Sequence, residues 1–544
     1  MLSGFNPQEI QDLAGARQAI VALLNLVETM KQENQELRAE VQRLRDEISR
    51  LKGEQGKPEI KANKPKDHSS EKERHKPQDW HKGSKRDRII INREQKLYVD
   101  KRELPDDAQF KGYEETVVQD IVLTTDNVRF VKEKYYSPAQ QRTYTAPLPA
   151  GYAGEFGPGV RALVLTLYYA ANMTEPKIEE LLGHIGISIS AGQVSNLLIK
   201  GQGDWHQEKE AVWRAGLASS DWQHIDDTST RVNGENQHCH VVCNPWFSAY
   251  FTRPGKDRLT LIQLLQGGAT VALLLNEQTP AWLDTFNTPL WAQRLISTWP
   301  QNQRLTHTEL AALLARDVAS LNDQQQARIL EAAALTAYHN QNDIPLLATL
   351  VSDDAPQFQY ITQYQALCWI HEARHYKKLT PFVDHHRQLL KDFQKQFWTF
   401  YQELQSYQAH PAPAAADRLR AEFDTIFSQT TGYAALDQRL ARTLAKKDRL
   451  LTVLDQPHLP LHNNPAELAA RQRVRKRDIS FGPRTSDGAA AWDTFMTLSE
   501  TAKKLGVNFY AYIQDRISQA RCMPSLAEII QQRSTAEQPQ PAPT

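Results

Sequence analysis

The sequence predicts a multidomain α+β protein in which a parallel coiled coil, a small β-rich module and a helix-turn-helix precede an α/β region broken by helical insertions. Three observations lead there. Ile20, Leu23, Val27, Met30, Asn34, Leu37, Val41, Leu44, Ile48 and Leu51 recur with alternating gaps of three and four, which is a heptad seam. Two apolar, strand-like runs far apart in the chain each lead to an aspartate pair, Asp226 with Asp227 and Asp353 with Asp354. At 544 residues the chain exceeds what one core accommodates, and about three or four domains are expected.

Residues 1–53 form the coiled coil. Ile20, Val27, Val41 and Ile48 occupy a positions, Leu or Met the d positions, and Asn34 is the single polar a residue, a combination that favours two parallel strands in one register. Glu33, Glu40 and Glu47 at g face Arg38, Arg45 and Lys52 at the following e positions, so identical chains attract and a homodimer through residues 20–51 is expected. The whole chain is neutral, yet residues 57–102 carry 15 Lys and Arg against 8 Asp and Glu. Poor in apolar residues, 54–96 reads as a flexible basic linker able to touch phosphates. Period-two stretches rich in β-branched residues make 97–156 a small β-rich module. In 157–203, a short amphipathic helix, then Gly183 and Gly186, then a second helix starting near Ser190 spell a helix-turn-helix, a unit that serves DNA binding or, as an ordinary packing unit, scaffold alone.

Four cysteines are too few for a disulfide framework in so long a chain, and a reducing compartment is expected. No apolar run reaches the roughly 18 residues of a membrane span, and the N-terminus lacks a basic segment followed by an apolar one. These readings predict a cytoplasmic protein with no membrane partner.

From Asp221, three strands are expected with turns at Asn233-Gly234 and Asn244-Pro245, the first ending at Asp226 and Asp227. The apolar run 346–351 leads to Asp353 and Asp354. In LHNNPAELAARQRVRKR (461–477), Asn464 is the expected N-cap, Pro465 the first helical residue and Glu467 the N3 member of a capping box. Arg471, Arg473, Arg475, Lys476 and Arg477 follow on that helix and are expected to hold DNA phosphates. Carboxylates are what Mg²⁺ requires, and three of them could hold two Mg²⁺ (or Mn²⁺) ions about 3.5–4 Å apart for an in-line phosphoryl transfer. In HCHVVC (238–243), strand alternation sends Cys239 and Cys243 to the face opposite His238 and His240, so core packing is expected there. Cys368 and His371 in CWIH lie three apart on one helix face and are expected to pack that helix beneath the site.

HIDDTSTRV, CWIHEARHYKKL and the long block from LPLHNNPAELAARQ to VNFYAYI, in this order, resemble the insertion-sequence-66 (IS66-like) family of bacterial DDE transposases. The resemblance covers roughly 160–515, and the coiled coil also looks like that family's. It aligns the family's Asp-Glu-Thr motif with Asp226, Asp227 and Thr228, its second aspartate with Asp353, and its Asp-Asn-Asn-x-x-Glu-Arg motif with His462, Asn463, Asn464 and Glu467. It implies catalytic, metal-binding roles for Asp226, Asp353 and Glu467, supported by Asp227, Asp354, Cys368, His371, Asn463 and Asn464. The implied catalytic domain is RNase H-like, in parts 204–276, 345–380 and 455–515, split by helical insertions 277–344 and 381–454 and followed by a tail, 516–544. The implied partners are double-stranded DNA, as terminal inverted repeats and target, with a second copy of the chain and accessory proteins. The implied location is the bacterial cytoplasm, on the nucleoid when bound to DNA. No zinc is expected, because the β-rich region lacks the paired cysteines that the family often carries. His462 and Leu468 stand where the family has aspartate and arginine. They leave one alternative, a non-catalytic coiled-coil DNA-binding regulator derived from a transposase.

Overall fold

The computed structural model describes residues 12–52, 89–100, 102, 104–105, 108–152, 154–267, 270–342 and 344–537. Most of the basic linker expected over 54–96 lies outside the described residues. What is described is a mixed α+β protein, built on one five-stranded mixed sheet. No helix among the described residues is long and apolar enough to cross a membrane.

The heptad residues lie on a single helix, α1 (Leu13–Leu51), opened by Asp12, whose side chain accepts from the Gly15 amide at 2.6 Å. The apolar seam residues from Ile20 to Leu51 are exposed along it. Between 97 and 156 the described residues contain one hairpin, Lys134–Ser137 paired with Arg142–Thr145, while 108–133 carry neither helix nor strand. Two short helices follow, α2 (Glu175–His184) and α3 (Ala191–Ile199). Gly186, at φ 84°, makes the turn between them, and Ser190 with Gln193 forms a capping box at the start of α3.

After α4 (Gly203–Ala218) comes the sheet: β1 (Trp222–Val232), β2 (Glu235–Cys243), β3 (Ser248–Arg253), β4 (Thr349–Ser352) and β5 (Tyr364–Leu367), in the order β3-β2-β1-β4-β5. The first three strands form an antiparallel meander. Its first turn falls at Asn233 and Gly234, with φ 50° and 82°, the two positive values a type I′ hairpin requires. β4 then runs parallel to β1, and β5 parallel to β4. Cys239 and Val241 pack on one face of the sheet with Tyr250, whereas Val242, Ala249 and Phe251 join the main core on the other, so alternation separates the two cysteines from His240.

Between β3 and β4 the chain forms helices Thr279–Thr285, Leu290–Ile296, His307–Asp317 and Asp323–His339. After β5 come α5 (Trp369–Lys377), α6 (Asp384–Ala409), α7 (Pro413–Phe427) and α8 (Ala434–Leu444), which build a second core. Its centre is Trp369, fully buried among Phe397, Phe400, Tyr401, Phe423 and Phe427. The chain then returns as α9 (Asn464–Ser480) and α10 (Ser486–Lys504). α9 lies across β1 and β2, and α10 closes the edge of β3. Three residues one helical turn apart meet alternate strand amides: the side chains of Thr501, Thr497 and Asp493 accept from the N–H groups of Ser248, Tyr250 and Thr252, at 3.2, 3.0 and 2.6 Å. An edge strand that would otherwise offer free donors is thereby sealed.

Candidate active site

β1 and β4 pair in register over Trp222 with Thr349, Gln223 with Leu350 and His224 with Val351. Asp226 and Asp353 each lie two residues beyond the last pair of that register. β1 itself does not end at the aspartates, contrary to expectation. It continues to Val232 because β2 pairs with it along its whole length. Directly opposite residues of an antiparallel pair share a face. Asp226 faces Val241 and so lies on the α9 side, whereas Asp227 faces His240 on the other side and accepts from Gln357 at 3.0 Å. Asp354 likewise turns away and pairs with Lys446 at 2.5 Å and Arg449 at 2.9 Å. Asp353 accepts from the Ala355 amide at 3.0 Å.

The start of α9 differs from the expected capping box. The cap residue is Asn463, one residue earlier, and no side chain caps the helix. The reason is that Asn463 is engaged elsewhere. Its Nδ2 donates to the Ile225 carbonyl at 2.7 Å, its Oδ1 meets His224 Nδ1 at 2.9 Å, and its amide donates to Cys368 Sγ at 3.2 Å. One buried asparagine thus ties α9 to β1, next to Asp226, and to the head of α5. Burial lowers the His224 pKa to about 3, so the ring is neutral and Nδ1–H is the donor to Asn463.

Glu467 consequently begins the second turn, and its carboxylate reaches α5. Arg374 Nη2 donates to Oε2 at 2.8 Å, and His371 Nδ1 lies 3.5 Å from Oε1. Arg374 Nη1 also donates to His371 Nε2 at 3.0 Å; guanidinium has no acceptor, so Nε2 accepts and the ring proton sits on Nδ1. Glu467 Oε1 is nevertheless buried without a hydrogen bond. Asp226 has its pKa raised to about 7, first by burial and then by the negative charges of Glu467, Asp353 and Asp227, against one stabilising bond from the Asp227 amide. Three segments more than a hundred residues apart therefore bring carboxylates to bear on one another.

Carboxylates are the donors a hard divalent cation takes, and Asp353 and Glu467 act on Asp226 through their charges, but the ligand atoms of the three do not all lie within 4.8 Å of one another. A softer trio lies alongside, since ligand atoms of Cys368, His371 and Glu467 fall within 4.8 Å of one another. It is poorly disposed to a metal. Cys368 is pushed up to about 12 by burial, its sulfur already accepts from Asn463, and the Arg374 cation occupies His371 Nε2.

The basic residues of α9 divide by face. Arg471 and Arg475 are exposed, and Arg477 is half-buried, donating to the Ser229 carbonyl at 2.6 Å. Arg473 and Lys476, expected to hold phosphates, lie in the interior instead. Helical spacing turns both toward α10 and the sheet. Arg473 pairs with Asp493 at 3.3 Å and donates to Thr252 Oγ1 at 2.7 Å, over the Trp492 ring. Lys476 donates to the Tyr168 carbonyl and sits 3.4 Å from the Tyr168 ring centroid. That tyrosine lies in a π-helical segment, Thr166–Ala170. Sequence reasoning also passed over Arg374, although HEAR places His371 and Arg374 three apart on one helix face, and it passed over His224 and Asp493.

The family model for IS66 family transposases matches residues 153–275 and 326–491, which hold all five strands of the sheet and the three carboxylates. The unmatched interval between them carries helices Thr279–Thr285, Leu290–Ile296 and His307–Asp317. A protein of Sinorhizobium fredii described as the uncharacterized protein y4jO is 34% identical over 304 residues, covering 56% of this chain and 94% of that relative. With the family model matching more than half of its length, the chain belongs to the IS66 family of transposases.

Proposed function

We propose that this transposase cuts and joins DNA strands at one metal-dependent site formed by Asp226, Asp353 and Glu467 on an RNase H-like domain. The observation that carries this reading is the convergence on Asp226 of the charges of Asp353 and Glu467, delivered by two neighbouring parallel strands and a helix. Bound Mg²⁺ or Mn²⁺, as a pair of ions, would activate a water or a DNA 3′-hydroxyl and stabilise the leaving oxygen. Asp226, Asp353 and Glu467 supply the hard oxygens. Arg374 holds Glu467 by a charge-assisted bond, and Asn463 fixes the start of α9 against β1. Arg471 and Arg475, with Arg477 beside them, offer guanidinium groups to DNA phosphates from the outer face of α9.

Dimerisation belongs to the same proposal. The exposed heptad seam of α1 is read as the contact with a second copy, in parallel.

The test uses purified full-length protein and linear DNA carrying the sequences that flank the gene, with product ends read by primer extension. Wild type should cut with Mg²⁺ and leave free 3′-hydroxyls. Asp226→Asn, Asp353→Asn and Glu467→Gln should bind the same DNA and leave it intact. Cutting by all three variants at the wild-type rate would sink the reading.

A further inference from the structure

A cavity of about 620 Å³ opens beside Asp353, between α5 on one side and α8 with the residues after it on the other. Five cations and three carboxylates line it, a surplus of two positive charges. Two of the three acids are already matched. Asp354 pairs with Lys446 and Arg449, and buried Glu372 pairs with Arg439 and with Lys446 at 3.4 Å. Those pairs fix Lys446, Arg449 and Arg439 in the wall, so its positive potential is preorganised. Arg442, on α8, and Lys378, just past α5, are left exposed, and their side chains make no hydrogen bond or ion pair among the described residues. Two free cations thus rim a concave surface that begins at one of the candidate catalytic carboxylates.

We propose that this cavity is a second phosphate-binding site, in which Arg442 and Lys378 hold a backbone phosphate of the DNA strand as it leaves the carboxylates. The ligand is a phosphodiester: a monoanion with two free oxygens, matched by a guanidinium fork and a flexible ammonium. A solvated charged face would spread its cations over a convex surface. Here they converge on one cavity, and acids on α5 and after β4 hold the others in place. The helical insertion, whose core is otherwise its own, thereby becomes part of the DNA-binding surface. This inference rests on the transposase reading above.

Fluorescence titration of full-length protein with a labelled duplex, repeated across salt concentrations, tests it. Arg442→Ala and Lys378→Ala should each lower affinity and reduce the slope of log K against log salt by about 0.9. Arg442→Lys should restore the slope, and thermal melting should match wild type because both residues are exposed. Folded variants that titrate with wild-type affinity and slope overturn the site. If wild type cuts DNA while the variants titrate unchanged, the cavity falls and the carboxylate reading stands. If the variants lose slope while Asp226→Asn, Asp353→Asn and Glu467→Gln all cut like wild type, the cavity stands and the carboxylate reading falls.

Discussion

Asn463 shows how much a single side chain can organise. It binds a strand carbonyl, a neutral histidine and, through its amide, a thiol, and it is almost fully buried. Removing its carboxamide strands the Ile225 carbonyl and His224 Nδ1–H. Asn463→Ala is therefore expected to cost about 2–4 kcal/mol in chemical unfolding. A loss below half a kcal/mol would mean the tie is slack. Lys476 gives a pH signature. Burial, with the Arg473 charge, lowers its pKa from 10.5 to about 7, although the Tyr168 ring works in the opposite sense. Between those values the unfolded chain binds the proton and the folded chain does not, so this group makes stability rise with pH from about 7 toward 10.5. Relative to Lys476→Met, wild type should be weakest near pH 7 and below, and the gap should close as pH approaches 10. Urea midpoints that run parallel over that range would contradict it.

Elements were legible in the sequence where the signal was local and periodic. The 3-4 spacing located the helix of 13–51, Asn233-Gly234 the first hairpin turn, and Ser190 the start of α3. What could not be read was whatever depends on partners distant in the chain. The capping box expected at Glu467 is absent because Asn463 is drawn off by β1, and of the five basic residues of α9 expected to hold phosphates, Arg473 and Lys476 turn inward. Spacing alone also could not choose between Asp226 and Asp227; the pairing of β1 with β2 separates their faces. The sealing of β3 by α10 is another such contact. Asp493→Ala frees the Thr252 amide and leaves buried Arg473 without its carboxylate, so a loss of about 3–5 kcal/mol is expected from the unfolding midpoint. A change within half a kcal/mol would show that α10 does not hold the edge.

At the scale of the molecule, α1 serves two neighbours at once. From its b and f positions, away from the seam, Glu28 accepts from the Phe382 and Val383 amides at the head of α6, and Asn25 bonds the Gly432 carbonyl and the Ala434 amide. The a and d residues stay exposed. A second copy joined along the seam would thus be carried on the same insertion that walls the cavity beside Asp353. Light scattering on protein lacking residues 1–53 should show a monomer where the full-length protein forms a dimer; a dimer without those residues would rule out the seam as the contact. On the proposed function, three distant segments fold into one metal site. Titration with Mn²⁺, followed by the loss of free-ion electron paramagnetic resonance signal, measures it without needing the correct DNA. Wild type should show saturable binding, and Asp226→Asn, Asp353→Asn and Glu467→Gln should each weaken it by at least about tenfold. Binding left at wild-type strength in all three variants would contradict the account.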